Sequence, residues 1–296
     1  MNGTARTPRQ IIFRYFEPAS VALIVLFWSL MPASITTNPM TLLWAGIITK
    51  VVVVGLEFVN ERHSGWRLDR RELLTDIFYV LLGYTIIQYA NDHVTDASVL
   101  ALKHAVGFTT PWLEQSPVVV QVALILFISE LGQYWLHRAM HNWRPLWLVH
   151  APHHHITQLN ALKGLVGNPI ELVLVYASVI ALFDFSLPAL FCAGQLFGAT
   201  ACFAHANVKF EAPKWYASIF TTVSAHSLHH SVQYEDTRCN YANSLICLDH
   251  LFGTFRAGET DTVGQDDRRR LSIKEQMLFP VMPLIESWNA RGKAAS

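Results

Sequence analysis

Histidines are the residues of this chain whose number and spacing could carry chemistry. Eleven of the fourteen lie between His137 and His250. His137 and His141 are four residues apart, which would stack two imidazoles on one face of a helix. Groups at 150–154 and 226–230 repeat spacings of three and four. Imidazoles packed together without partners are costly to bury, and a shared metal supplies those partners. The spacing therefore predicts a metal site.

The number of clustered histidines bears on how many ions are bound. Imidazole suits Zn, Fe, Cu and Ni, but a zinc site uses three or four protein ligands, and these groups offer about twice that number. The HExxH pattern of zinc proteases is absent, because Arg138 stands where its glutamate would be. The surplus favours two ions, and open all-histidine ligation is compatible with iron that activates O2. His63, His93, His104 and His250 stand apart and are interpreted as ordinary interfacial or hydrogen-bonded side chains.

Composition indicates a membrane protein. Hydrophobic residues make up 52% of the chain and charged residues 15%, against roughly 25% charged in an average soluble domain. Basic and acidic residues balance at 22 each, and no basic stripe carries interleaved aromatics, so nucleic-acid binding is discarded. The four cysteines form no CxxC pair. They are interpreted as reduced thiols.

Several apolar runs are long enough to cross a bilayer, which takes about 20 residues. They lie at 18–35, 41–59, 73–90 and 117–136. A further block, 169–206, is long enough for two spans, with a break before Pro188 that predicts a helical hairpin. The first run is too long for a signal peptide and has no cleavage site, so it is interpreted as an uncleaved anchor.

Basic residues alternate between the connections and predict orientation. The N-terminal arm, the 61–72 connection and the segment after 136 carry arginines, whereas the turn near Asn38 has no basic residue and 91–116 has one lysine. The arginine-bearing segments are therefore expected on the cytoplasmic side. All histidine groups would then share that side of the membrane.

The histidine groups and their neighbours resemble one family. In order and spacing they are similar to the fatty acid hydroxylase/sterol desaturase superfamily over about 124–256. The motifs that carry the resemblance are HRAMH (137–141), HAPHH (150–154), HAN (205–207), HSLHH (226–230), NYAN (240–243) and DHLFGTF (249–255).

The resemblance implies an all-α fold, with a multi-pass transmembrane anchor and a cytosolic helical cap that holds a di-iron site. The domains would be 1–116 (N-terminal spans), 117–256 (catalytic) and 257–296 (a cytosolic or interfacial tail, or a short helix packed on the cap). Glu130 would orient a ligating imidazole from behind. His155 and His250 depart from the family pattern; each is compatible with a spare ligand or a substrate contact, and neither role is favoured. The ligands carried over by position are His137, His141, His150, His153, His154, His226, His229 and His230, with His205 as a ninth.

The expected function is hydroxylation or desaturation of a lipid (an acyl lipid, a sterol or hopanoid, or a carotenoid) with O2 as co-substrate. No flavin, haem or iron–sulfur pattern occurs in the sequence, so electrons would come from a ferredoxin- or cytochrome-type protein with its reductase. The membrane would be a bacterial inner membrane or the endoplasmic reticulum. Alternatives are a membrane zinc hydrolase of lipid amides, which needs fewer ligands, and a metal transporter, which needs ligands at mid-membrane.

The predicted orientation can be tested with topology reporters. A reporter fused after Ser296 should be cytoplasmic, and one inserted near Ser98 should lie on the far side, because basic connections stay in the cytoplasm. A phosphatase and a fluorescent-protein reporter at each position give opposite readouts and control for expression. A far-side C-terminus would contradict the convergence of the histidine groups.

Overall fold

The computed structural model describes residues 6–285, which are helical and contain no strand, only isolated bridges. This confirms the predicted all-α class. The main helices are α1 (Pro8–Leu30), α2 (Pro39–Val59), α3 (Arg70–Val106), α4 (Val118–Asn142), α5 (Arg144–His154), α6 (Pro169–Tyr176), α7 (Leu187–His205), α8 (Val223–His229), α9 (Cys247–Phe252) and α10 (Ile273–Leu278). Single turns lie at Ala33–Thr36, Ser64–Trp66, Pro111–Glu114, Lys163–Leu165, Ile180–Leu182, Lys214–Ala217, Tyr234–Thr237, Asp266–Arg268 and Phe279–Val281.

Five helices in the described part of the chain are long and apolar enough to cross a membrane: α1, α2, α3, α4 and α7. The third differs from its prediction. It runs for 37 residues, through the segment expected to be a connection, because neither proline nor glycine interrupts it between Gly83 and Gly107. Π-helical turns lie at Gly83–Ile87 and Asn91–Asp96. The helix ends where Gly107 adopts φ +65°, a left-handed conformation that favours glycine.

The predicted hairpin of two spans at 169–206 is wrong in its first half. Only α7 is long enough to span, whereas α6 has eight residues. The chain after α6 is irregular up to the start of α7, and Asp184 lies in this segment outside any helix. It accepts hydrogen bonds from the Lys103 ammonium and the Thr110 backbone. These contacts tie the break to the end of α3.

The opposite end of the bundle gathers the segments that were predicted to lie together. Glu61 and Val208 form an antiparallel bridge, and the backbone amide of His63 donates to Asn207 Oδ1 at 2.8 Å. The Asn60 amide nitrogen donates to the Lys209 carbonyl oxygen at 2.9 Å. We call this end, where α2 and α7 finish, the histidine end.

Helix α7 lies at the centre of the bundle and packs against α1, α2 and α4. Its buried face is built from small side chains such as Ala189, Cys192 and Ala199, which let neighbouring backbones approach closely. Trp28 of α1 donates from its indole nitrogen to Gln195 Oε1 at 2.5 Å. All four cysteines are free thiols, as predicted.

The described part of the predicted tail packs on the histidine end. Trp66 donates to the Asp261 carbonyl oxygen at 2.9 Å, Val263 bridges Ser231, and Tyr79 donates to Gln276 Oε1 at 2.5 Å. Of the segment predicted as a cytosolic or interfacial tail, 286–296 lies outside the described residues.

A buried ion network joins α3 to the chain that follows α5. The Lys163 ammonium contacts Glu72 and lies 2.7 Å from Asp76 Oδ1. Arg270 Nε lies 2.7 Å from Glu72 Oε1, and Asn160 donates to Asp76 Oδ2 at 2.9 Å. Two cations and two carboxylates therefore balance in an interior where an unpaired charge would be costly.

Replacing Lys163 with methionine should leave the buried Asp76 carboxylate without its cation and lower the free energy of unfolding by about 3–5 kcal/mol. Denaturant unfolding in detergent measures the loss. Arg67→Met is the control, because it removes an exposed ion pair with Glu61 and should cost at most about 1 kcal/mol. Equal losses in the two variants would contradict the role of the network.

Candidate metal centre

Four helices deliver the clustered histidines to one place. Helix α4 carries two of them near its C-terminus, α5 carries three, α7 ends on His205, and α8 with the residue after it carries three more. All of these side chains are buried. Helical spacing on each segment stacks the rings on one face, and the convergence of the helices brings the faces together.

The nine histidines predicted as ligands fall into two groups, within each of which one nitrogen per ring lies within 4.8 Å of the others. Neighbours in sequence alternate between the groups: His153 and His154 belong to different groups, and so do His229 and His230. The first group is His137, His141, His150, His154 and His229; the second is His153, His205, His226 and His230.

Within each group the Nε2 atoms are in close contact. His150 Nε2 lies 3.0 Å from His137 Nε2, 3.1 Å from His141 Nε2 and 3.0 Å from His154 Nε2. In the second group, His226 Nε2 lies 3.0 Å from His205 Nε2 and 3.1 Å from His230 Nε2. Metal–nitrogen bonds of about 2.1 Å place adjacent octahedral ligands about 3.0 Å apart and tetrahedral ligands about 3.4 Å apart. The observed spacing matches the octahedral edge.

The far side of the rings shows where their protons lie. The Nδ1 atoms of His137 and His229 donate to the carbonyl oxygens of Tyr241 and Cys239, at 2.5 and 2.7 Å. A carbonyl oxygen can only accept a hydrogen bond, so each neutral ring carries its proton on Nδ1 and a lone pair on Nε2. These two Nε2 atoms face each other at 3.1 Å. Two lone pairs at that distance repel unless a cation lies between them, so the donor set fits a metal.

The second group shows the same pattern. His153 Nδ1 donates to the Val166 carbonyl oxygen at 2.7 Å, and His205 Nδ1 donates to the Ala201 carbonyl oxygen at 2.8 Å. Backbone acceptors of this kind fix the orientation of a ligating ring. Three other rings of the two groups have a buried Nδ1 without a partner among the described residues: His154, His226 and His230.

Glu171 is a functional candidate that sequence reasoning missed. Its Oε1 lies 2.6 Å from His150 Nδ1, and both side chains are buried. A carboxylate behind a ligating imidazole raises the basicity of the ligand. The carboxylate is accommodated because residue 167 is glycine: a Cβ there would lie 2.6 Å from Glu171 Oε2. The sequence does offer one signal for this role: Glu171 is an acidic residue within the apolar block 169–206, where an unpaired carboxylate would be costly to bury.

Burial keeps the imidazoles outside the spans in the neutral form that a metal requires. Burial lowers the pKa of His150 to about 3. Burial also lowers the pKa of His153, and that of His230 well below its usual value, with nearby imidazoles adding to the effect at His230. The lone pairs therefore stay available at neutral pH.

Glu130 does not meet an imidazole, contrary to the sequence-based expectation. It is fully buried, and its Oε1 accepts a hydrogen bond from the Ser244 backbone amide at 2.8 Å. Asp249 holds the same loop, because its carboxylate accepts from the amides of Tyr241 and Ala242 at 2.8 and 2.9 Å. That loop presents the carbonyl oxygen that orients His137. Glu130 is therefore connected to His137 only through the backbone of this loop, which accounts for its burial without a direct contact to a ring.

The remaining histidines lie outside both groups. His63 lies 2.7 Å from a carboxylate oxygen of Glu259. The ring of His250 is exposed and packs against Phe255. His155 is buried with its ring 5.2 Å from that of Phe279.

Comparison with known proteins gives a consistent picture. Residues 122–254 match the fatty acid hydroxylase family. The chain is 27% identical to the ornithine lipid hydroxylase OlsE of Rhizobium tropici, over 74% of this chain and 69% of that protein. It is 28% identical to a Delta(7)-sterol-C5(6)-desaturase of Nicotiana tabacum, over 51% of this chain and 54% of that protein. An alkylglycerol monooxygenase of Danio rerio is 32% identical over 45% of this chain and 30% of that protein. No solved structure matches.

Two substitutions of Glu130 distinguish the effect of its hydrogen bond with the Ser244 amide from the effect of its negative charge. Glu130→Gln keeps an oxygen that accepts from Ser244, so metal content should stay unchanged. Glu130→Ala leaves a buried amide unpaired, which costs about 1–3 kcal/mol, and should weaken metal binding about 10-fold by releasing the loop behind His137. Metal titration of each apoprotein is the measurement. Glu114→Ala, at an exposed acid, is the control, and metal loss in Glu130→Gln equal to that in Glu130→Ala would contradict this role.

Proposed function

We propose that this chain, which belongs to the fatty acid hydroxylase/sterol desaturase superfamily, is a membrane-bound non-haem di-iron oxygenase that hydroxylates or desaturates a lipid. The observation that carries the proposal is the pair of buried nitrogen groups, with five and four imidazoles, at one end of a bundle of membrane-spanning helices. Relatives named as lipid hydroxylases, desaturases and monooxygenases support the same reaction class.

The two groups would hold one iron each through Nε2 atoms. Two irons so held would supply O2 activation and oxidation of an unactivated C–H bond. The chain's own contribution is to hold neutral imidazoles in position. The Tyr241 and Cys239 carbonyl oxygens fix two rings of the first group. The Glu171 carboxylate accepts a hydrogen bond from the Nδ1–H of His150. Burial of every ring keeps bulk water away from the reacting atoms.

A lipid substrate suits the position of the site. An open apolar groove with a volume of about 140 Å³ lies between α4 and the irregular chain after α6, bordered by Gly132, Leu136 and Val179. Leu136 directly precedes His137 in α4, so the groove lies within one helical turn of the first group along this membrane-spanning helix. We propose that an acyl or other apolar chain enters there from the bilayer.

The proposal also includes an electron donor and the side of the membrane that the histidine end faces. The donor would be a separate ferredoxin- or cytochrome-type protein with its reductase, docking at the histidine end. That end would face the cytoplasm, in a bacterial inner membrane or the endoplasmic reticulum, because Arg62, Arg67 and Arg9 lie there.

The alternatives are less favoured by the geometry. A zinc hydrolase needs three or four ligands in a tetrahedral arrangement, whereas the Nε2 spacing of 3.0–3.1 Å suits a higher coordination number. A transporter needs ligands at mid-membrane, whereas these groups lie where α4 and α7 end.

Removing one ligand should unload the centre. Protein expressed with iron should hold about two iron atoms per chain, and His229→Ala should lose at least half of that iron, because it takes one nitrogen from a buried set. Lipid turnover should fall by more than the about 10–100-fold expected for loss of an outer partner of a ligand. Iron analysis and an O2-dependent lipid assay are the measurements.

The matched control is His250→Ala, at an exposed histidine outside both groups, and it should retain iron and activity. Mass spectrometry of cellular lipids should show O2-dependent gains of about 16 Da or losses of about 2 Da. Full iron content and turnover in His229→Ala would contradict the ligand assignment, and turnover without O2 would contradict the reaction class.

A further inference from the structure

A second feature of the histidine end is a cationic pocket that the proposed oxygenase chemistry does not use. It is a cavity of about 380 Å³ between the start of α1 and the chain after α7, within the about 300–1,000 Å³ usual for ligand pockets. Its cationic lining residues are Arg6, Arg9, Arg14 and Lys209. The lining includes one carboxylate, that of Glu211.

Within residues 6–285, the four cations of the pocket outnumber its one carboxylate and form no ion pair. Arg9 donates to the carbonyl oxygen of Val59 and to Asn60 Oδ1, which are uncharged acceptors. Arg14 donates to the backbone carbonyl oxygen of Glu211 at 3.3 Å. Among the described ion pairs, none joins a pocket cation to a carboxylate. The pocket therefore holds positive charge with donors pre-positioned around it.

The floor of the pocket is rigid. Asn60 and Lys209 exchange two backbone-directed hydrogen bonds of 2.9 Å. Phe13 and Phe210 are buried beneath the opening, and Phe210 stacks on Phe16 with ring centroids 5.4 Å apart. A rigid floor under cationic side chains that are already held by hydrogen bonds lowers the free-energy cost of ordering the site when a ligand binds.

Apolar side chains beside the pocket locate it at the membrane surface. Ile11, Ile12 and Tyr15 on the same turns of α1 are exposed, although each is costly to leave in water. Basic residues interleaved with exposed apolar and aromatic ones are typical of a helix at the headgroup level. The ligand is thus expected where the bilayer presents its phosphates.

We propose that this pocket binds the phosphate-bearing headgroup of an anionic membrane lipid. Guanidinium groups bind phosphate oxygens through paired N–H donors, and basic residues next to a span attract anionic lipids. A free phosphate compound shares this chemistry. The position at the start of a membrane-spanning helix favours the lipid, whose acyl chains would lie along the exposed face of α1.

The test is lipid binding to the detergent-purified, metal-loaded protein at low salt, measured by native mass spectrometry. The probes are short-chain phosphatidylglycerol, phosphatidylcholine of the same chain length, and inorganic phosphate. Wild-type protein should bind phosphatidylglycerol in preference to phosphatidylcholine. The variant Arg9→Gln/Arg14→Gln/Lys209→Gln should bind it roughly 100-fold more weakly, at about fivefold per charge removed.

The matched control is Arg144→Gln/Arg269→Gln/Lys274→Gln, which removes the same charge outside the pocket and should bind like the wild type. Glu211→Gln removes the one carboxylate and should tighten binding a few-fold, which keeps the test informative if the triple variant does not fold. Iron content should be unchanged in all variants, so the outcome is independent of the oxygenase proposal.

Three results would overturn the assignment. Equal affinity of the wild type for the two lipids removes the selectivity for an anionic headgroup. Equal losses in the pocket and control variants reduce the effect to net charge. Displacement of phosphatidylglycerol by equimolar inorganic phosphate assigns the pocket to soluble phosphate compounds instead of lipid.

Discussion

The convergence of imidazole lone pairs is the constraint on which the rest of the molecule depends. The Nε2 atoms of His137 and His229 lie 3.1 Å apart, and the Nδ1 proton of each ring is committed to a carbonyl oxygen on the other side, so the two lone pairs repel one another in a buried interior. Such an arrangement persists only when a cation compensates it or when the surrounding structure holds the rings against each other. Much of the chain beyond the spans can be understood as that surrounding structure.

The support has layers. Backbone carbonyls and Glu171 hold the rings, and the loop at 240–245 is itself held by Asp249 and Glu130. The Lys163 network anchors the segment whose Val166 carbonyl oxygen orients His153. Burying several charged side chains costs free energy. In this protein those buried side chains hold the histidine rings in defined positions. Central packing on α7 then fixes the helix ends relative to one another.

The sequence predicted well those features that depend on local spacing. Imidazoles three and four residues apart share a helix face whatever the tertiary structure, so eight of the nine histidines could be grouped in advance, whereas His205 stands alone in its segment and was named only through the family resemblance. The division of the nine between two groups could not be predicted, because it depends on how α5 and α8 are rotated against α4 and α7. Glu171 and Lys163 were missed because each acts on a segment distant in sequence. The length of α3 exceeds the predicted span because the apolar run stops before Asn91, whereas the helix continues through polar residues that contain no proline or glycine.

The alternation of adjacent histidines between the two groups has a consequence for assembly. His153 and His154 share a backbone, as do His229 and His230, yet each pair sends its rings to different groups. If each group holds an ion, as proposed, an ion bound in one group would fix main chain that carries histidines of the other. The two binding events would then be coupled through a shared backbone, so that filling one group would favour filling the other. Singly occupied molecules would be scarce relative to empty and complete ones.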